Sequence, residues 1–143
     1  MRHKTPTIMI VDDDRVDTMA IRRSLRESDI TYPVVAARDG IEALDHLRGE
    51  NGRQHLAGPV LVLLDLNMPR MGGLEFLAEL RDDASLRPTV VFVMTTSDDE
   101  NDRARAYAQN VAGYILKFEQ EHGFQDAILM LEHFSRVVAF PDS

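Results

Sequence analysis

Pro59-Val60-Leu61-Val62-Leu63-Leu64-Asp65-Leu66-Asn67-Met68-Pro69-Arg70-Met71-Gly72-Gly73 is the stretch that decides the fold. Its first part is an uninterrupted Val/Leu run, which reads as a strand buried on both faces, the kind found in parallel sheets. Asp65 closes the run at the end where open α/β sheets place their ligands and chemistry. Pro69 and the Gly72-Gly73 pair then turn the chain into a helix. A second apolar run, Thr7-Ile8-Met9-Ile10-Val11, also ends in acids, Asp12-Asp13-Asp14. Two carboxylate-tipped strands in one small α/β domain point to a hard-cation site with a reactive carboxylate.

The bulk properties narrow the function classes. A chain of 143 residues, 44% hydrophobic and 28% charged, buries one good core. A formal charge of −8 argues against nucleic acid as a partner, because the phosphate backbone needs a basic surface. With no cysteine, disulfides, thiolate catalysis and thiolate metal sites are excluded. The N-terminus lacks the apolar stretch of a signal peptide, and no run reaches membrane-spanning length. The expectation is a cytoplasmic protein with no membrane partner.

Outward from the Asp65 strand, apolar runs alternate with amphipathic stretches, the pattern of βαβ units. Strands are expected at Thr7–Val11, Val34–Ala37, Val60–Leu64, Thr89–Met94 and Gly113–Leu116. Helices are expected from Asp14, as cap, to about Ser28, then over Ile41–Arg48, Leu74–Arg81, Glu100–Asn110 and Phe124–Val138. Ile21 and Leu25 face inward on the first helix. On the third, Leu74, Leu77 and either Phe76 or Leu80 do so. Asp17 stands in the first turn of the first helix, where the helix dipole favours a negative charge. The fourth helix takes its cap from Thr95-Thr96-Ser97-Asp98, and residues 49–58 form a long polar loop. The predicted fold is a doubly wound five-stranded parallel sheet with five helices, one domain over residues 7–138, with tails at 1–6 and 139–143. Right-handed crossovers bring the strand ends carrying Asp12, Asp13, Asp65, Thr95 and Lys117 to one edge.

Three acids at one edge repel each other, so an opposite charge must compensate them. Mg²⁺ suits the composition, being held by one or two carboxylates plus waters and phosphate. Asp13 and Asp65 are the expected direct ligands, with Asp12 acting through water or behind them and the Asn67 carbonyl as a further oxygen. Asp65 is then a nucleophile toward phosphorus. Lys117 and the Thr95 hydroxyl serve the other phosphoryl oxygens.

These residues resemble the response-regulator receiver domain of two-component signalling. The resemblance rests on Val11-Asp12-Asp13-Asp14, Leu64-Asp65-Leu66-Asn67-Met68-Pro69 with Met71-Gly72-Gly73, Met94-Thr95-Thr96-Ser97 and Gly113-Tyr114-Ile115-Leu116-Lys117. It implies transfer of a phosphoryl group from a histidine kinase to Asp65 with Mg²⁺ bound. It also implies that Thr95 swings toward that group and that Tyr114 turns inward. The face made by the fourth helix, fifth strand and fifth helix is thereby remodelled. The chain looks most like stand-alone receivers that serve phytochrome-type kinases. No output domain is expected after the fifth helix, so output is expected through protein binding or phosphorelay, and no multiple-turnover enzyme activity is expected. Thr96 stands where the family often has Ala or Gly. Asn67 and Ser97 flank the path of hydrolytic water, so all three are expected to set the phosphate's lifetime.

One position departs from the family pattern. The residue after Lys117 is usually Pro, joined by a cis bond, and here it is Phe118. A cis non-Pro bond costs roughly 2.5–4 kcal/mol. The expectation is either a trans bond with a re-routed loop or a strained cis bond. A phosphorylation-independent scaffold on the same fold is the alternative function. A phosphohydrolase is disfavoured because Asn67 stands where such enzymes carry a second acid. On the fifth helix Phe124, Ala127, Ile128, Leu131 and Val138 face the core. Leu129, Met130 and Val137 point elsewhere, as a partner or homodimer face would. His3, His46, His55, His122 and His133 lack ligand spacing and read as surface residues, and the Met residues read as packing.

Overall fold

A computed structural model describes residues 5–56, 58–117 and 124–141. Five strands and five helices alternate: β1 Thr7–Val11, α1 Arg15–Glu27, β2 Val34–Ala37, α2 Gly40–Arg48, β3 Val60–Leu64, α3 Gly73–Asp82, β4 Val90–Thr95, α4 Glu100–Ala108, β5 Gly113–Leu116 and α5 Gln125–Val137. The strands form one parallel sheet in the order β2-β1-β3-β4-β5. The doubly wound fold expected from the alternation is the observed one.

Side chains alternate between the two sides of a strand, so each apolar run feeds two cores. Met9, Val11, Val62, Leu64, Val91 and Val93 meet α2, α3 and α4 through Ala43, Leu44, Leu47, Phe76, Leu77, Leu80 and Ala106. Ile8, Ile10, Leu61, Leu63, Phe92 and Met94 meet α1 and α5 through Ile21, Leu25, Ala127, Ile128 and Leu131. This two-sided burial is why β3 shows no polar alternation. Each buried aliphatic side chain contributes about 1.5–3 kcal/mol to burial.

Boundaries shift where a cap or a backbone angle overrides periodicity. Asp99, not the preceding four residues, caps α4 by accepting the Asp102 N–H at 2.9 Å. That helix stops at Ala108, and Asn110 takes the left-handed conformation. Strand β4 runs one residue further than expected, so Thr95 is strand rather than loop. Both Phe76 and Leu80 are buried on α3, while Leu74 packs only at the margin. On α5, Val138 is the C-cap and only half-buried, and Phe134 takes the packing place instead. His46 departs from the surface reading: it is half-buried, and its Nε2 is buried without a hydrogen-bond partner. His3, His122 and the Lys117–Phe118 link lie outside the described residues. Among the described residues no helix is long and apolar enough to cross a membrane.

Candidate functional site

Strand register assembles the site. Val11 pairs with Leu64, Leu64 with Val93, and Thr95 with Leu116. The residues just past these pairs therefore meet at one sheet edge. The Asp65 N–H donates to the Val11 carbonyl at 2.9 Å and the Asp12 N–H to the Ala37 carbonyl at 3.0 Å. Both backbones are thus fixed up to the acids themselves.

Asp65 is buried, and both of its carboxylate oxygens are used. Oδ1 accepts the Thr95 hydroxyl at 2.8 Å and the Asn67 N–H at 3.3 Å. Oδ2 faces the Lys117 ammonium at 3.3 Å. Thr95 is fully buried, so its rotamer is held by packing as well as by this bond. Asp12, Asp13 and Asp65 each offer a carboxylate oxygen within 4.8 Å of the others, with Asp13 exposed at the mouth. Hard oxygen donors so close together fit a divalent cation of the Mg²⁺ or Mn²⁺ type.

The charges explain the protonation bias. Burial pushes the Asp12 carboxyl up to about 6, against the lowering effect of its hydrogen bonds with Lys117 and the Asp14 N–H. Burial pulls the Lys117 ammonium down, yet bonds to Asp12 and Asp17 and the charge of Asp65 outweigh it and hold it above the ordinary lysine range. One cation facing several acids leaves surplus negative charge, which a bound divalent ion would offset.

The loop after Asp65 is tied down on two sides. Gly73 passes so close that an added Cβ would stand 2.5 Å from the Asp65 carbonyl oxygen and 2.7 Å from the Leu66 Cα. Arg70, in the left-handed region at φ 61°, reaches Asp39 at the start of α2 with a 2.7 Å bond. The β4–α4 loop is wired as well. Thr95 Oγ1 accepts the Ser97 N–H at 3.3 Å, and the Ser97 carbonyl accepts the Tyr114 hydroxyl at 2.8 Å. Arg103 lies 5.3 Å over the Tyr114 ring. Thr95 therefore already stands on Asp65, and Tyr114 already packs inward. Ser97 sends its hydroxyl to Asp102 at 2.7 Å, and Thr96 and Asn67 are exposed.

Sequence reasoning missed one neighbour. Asp17 lies 2.8 Å from the Lys117 Nζ. A carboxylate one helical turn past a strand end is a usable signal, but it reads first as a helix-dipole partner. A cavity of about 460 Å³ lies at the opposite, amino ends of β3 and β4, lined in part by Leu56, Val60, Leu86 and Phe140. It shares no residue with the carboxylate edge.

The sequence model of the response regulator receiver domain matches residues 8–129. The chain is 34% identical over 110 residues to response regulator Rcp1 of Synechocystis sp. (strain ATCC 27184 / PCC 6803 / Kazusa), covering 77% of this chain and 75% of that one. The phosphorylated cyanobacterial phytochrome response regulator RcpA superposes with a TM-score of 0.85 at 33% identity, covering 97% of this chain and 100% of that one. The Mn²⁺-bound form of Rcp1 superposes with a TM-score of 0.82 at 28% identity, covering 95% and 99%. The chain belongs to the response regulator receiver domains of two-component systems.

Proposed function

We propose that the protein accepts a phosphoryl group from a histidine kinase on Asp65 and signals by phosphorylation-dependent protein binding or by phosphorelay. The observation that carries this reading is the buried Asp65 carboxylate between the Thr95 hydroxyl and the Lys117 ammonium, beside Asp12 and Asp13. An Asp65 oxygen attacks phosphorus, the N–P bond of the phosphohistidine breaks, and its electron pair leaves with the imidazole. Lys117 places positive charge on one phosphoryl oxygen, and the Thr95 hydroxyl donates to another. Asp12, Asp13, Asp65 and the Asn67 carbonyl would hold Mg²⁺. When bound, the ion supplies Lewis-acid charge to the phosphoryl oxygens. Loss of the Asp65 charge to an acyl phosphate redirects the Thr95 hydroxyl, and Ser97 passes the change to Tyr114.

Likeness to phytochrome response regulators favours a phytochrome-type kinase as donor. The donor reaches Asp65 past α1, which exposes Val16 and Met19. Tyr107 on α4 and Leu129, Met130 and Val137 on α5 leave apolar surface for a homodimer through the α4–β5–α5 face. Asn67, Thr96 and Ser97 set the lifetime of the phosphate. The test is treatment with acetyl phosphate, with and without Mg²⁺, on wild type and Asp65→Asn, read by intact mass and size exclusion. A single Mg²⁺-dependent phosphoryl adduct, absent in Asp65→Asn, is expected. A folded wild type that takes up no phosphoryl group would hand the protein to the scaffold reading.

A further inference from the structure

We infer that Asp17 is a positioning residue for phosphoryl transfer: from the first turn of α1 it pins the Lys117 ammonium so that one N–H is left aimed at the phosphoacceptor. The inference rests on the reading of Asp65 as phosphoacceptor. An ammonium has three protons and no acceptor. Around the Lys117 Nζ stand three carboxylate oxygens, from Asp12 at 2.7 Å, Asp17 at 2.8 Å and Asp65 at 3.3 Å. The two short contacts fix two protons, and tetrahedral nitrogen then dictates where the third points. That third contact is the long one, so it is the one given up when a phosphoryl oxygen arrives beside Asp65.

The anchors differ in origin. Asp12 follows β1 directly, and Asp17 is carried by α1, which Asp14 caps through the Val16 and Asp17 N–H groups. Lys117 itself stands on a flexible four-carbon stem at the end of β5. Phe118 follows it, so no proline ring stiffens the chain at that point. With Asp12 alone, the ammonium would swing about a single contact. The side chain of Lys117 is only 7% exposed and that of Asp17 26% exposed, so the pair is shielded from water yet open to substitution.

The experiment measures phosphorylation by acetyl phosphate at saturating Mg²⁺, and the half-saturating Mg²⁺ concentration, for wild type, Asp17→Asn and Asp17→Glu. In each turnover the P–O bond of the donor breaks, acetate leaves with the electron pair, and an O–P bond to Asp65 forms. Asp17→Asn keeps the shape and removes the charge. It is expected to phosphorylate about tenfold more slowly, well short of the 10²-fold that an ångström of misplacement costs. Its Mg²⁺ requirement and melting temperature stay near wild type. Asp17→Glu keeps the charge and recovers most of the rate. A wild-type rate in Asp17→Asn overturns the inference, as does an Asp17→Glu as slow as Asp17→Asn, which would mark a role of shape alone. A wild type without any adduct overturns the phosphoacceptor reading and this inference with it, whereas the first two results strike Asp17 only.

Discussion

Lys117→Met removes the one ammonium that the described residues place at the carboxylate edge while keeping most of the side-chain volume. The side chains of Asp12 and Asp65 are only 3% and 8% exposed, so their charges lose a partner that water cannot replace. Breaking a buried ion pair from one side costs about 3–5 kcal/mol. Asp17 is partly solvated, which places the loss at the lower end, about 3 kcal/mol. For 143 residues, at about 2.1 cal/mol/K per residue, that lowers the Tm by about 10 °C.

The sign of the pH dependence follows from Asp12. Burial lifts its carboxyl from 3.8 to about 6. Between those values the folded state binds more protons than the unfolded chain, so this group's contribution to stability falls as pH rises through the window. In Lys117→Met the lowering influence of the lysine is gone, and the window extends upward. The deficit of the variant is therefore larger at about pH 7.5 and shrinks toward pH 5, where Asp12 is mostly protonated. Saturating Mg²⁺ narrows it too, because a site with one cation fewer binds the ion more tightly. Urea melts followed by circular dichroism at both pH values, with and without Mg²⁺, provide the measurement. An equal deficit under all of these conditions would refute the electrostatic account and leave only lost packing.

Arg81 donates to the carbonyls of Gln109, Arg87, Thr89 and Asn110 at 2.6–3.1 Å, and thereby joins the end of α3 to the end of α4. Arg81→Ala is expected to cost about 2–3 kcal/mol in urea melts, and Arg81→Lys to recover less than half of that, since an ammonium lacks the guanidinium fork. An Arg81→Lys protein as stable as wild type would contradict this. Gly73→Ala drives a Cβ into backbone rather than into a movable side chain, so a loss of about 3 kcal/mol in thermal melts is expected, together with slower phosphoryl uptake as Asp65 is displaced. A variant that melts like wild type would show that the loop yields freely. Tyr114→Phe deletes the 2.8 Å bond to the Ser97 carbonyl, which is expected to cost about 1 kcal/mol and to move the amide resonances of the β4–α4 loop. Unmoved resonances for Ser97 and Asp98 would remove Tyr114 from the path out of Asp65.

Local pattern carried most of the fold. The Val/Leu run before Asp65 and its counterpart before Asp12 announced buried parallel strands, because a strand covered on both faces has no reason to alternate. Asp14 announced a helix start, because an orphaned N–H needs an acceptor within three residues. The acids, Thr95 and Lys117 were legible as a site because strand ends in this topology share one edge. What the tertiary structure alone decided is pairing between residues far apart in the chain. Lys117 meets Asp17 a hundred positions away, and Arg81 finds the carbonyls of Gln109 and Asn110 just past α4, 28 and 29 positions away. The half-buried place of His46 was likewise decided by the fold, whereas the choice of Asp99 over Asp98 as a cap is local, an acceptor three residues from the Asp102 N–H. Periodicity tells which face of an element is apolar. Rotamers and distances at a site are set by neighbours that only the folded chain supplies.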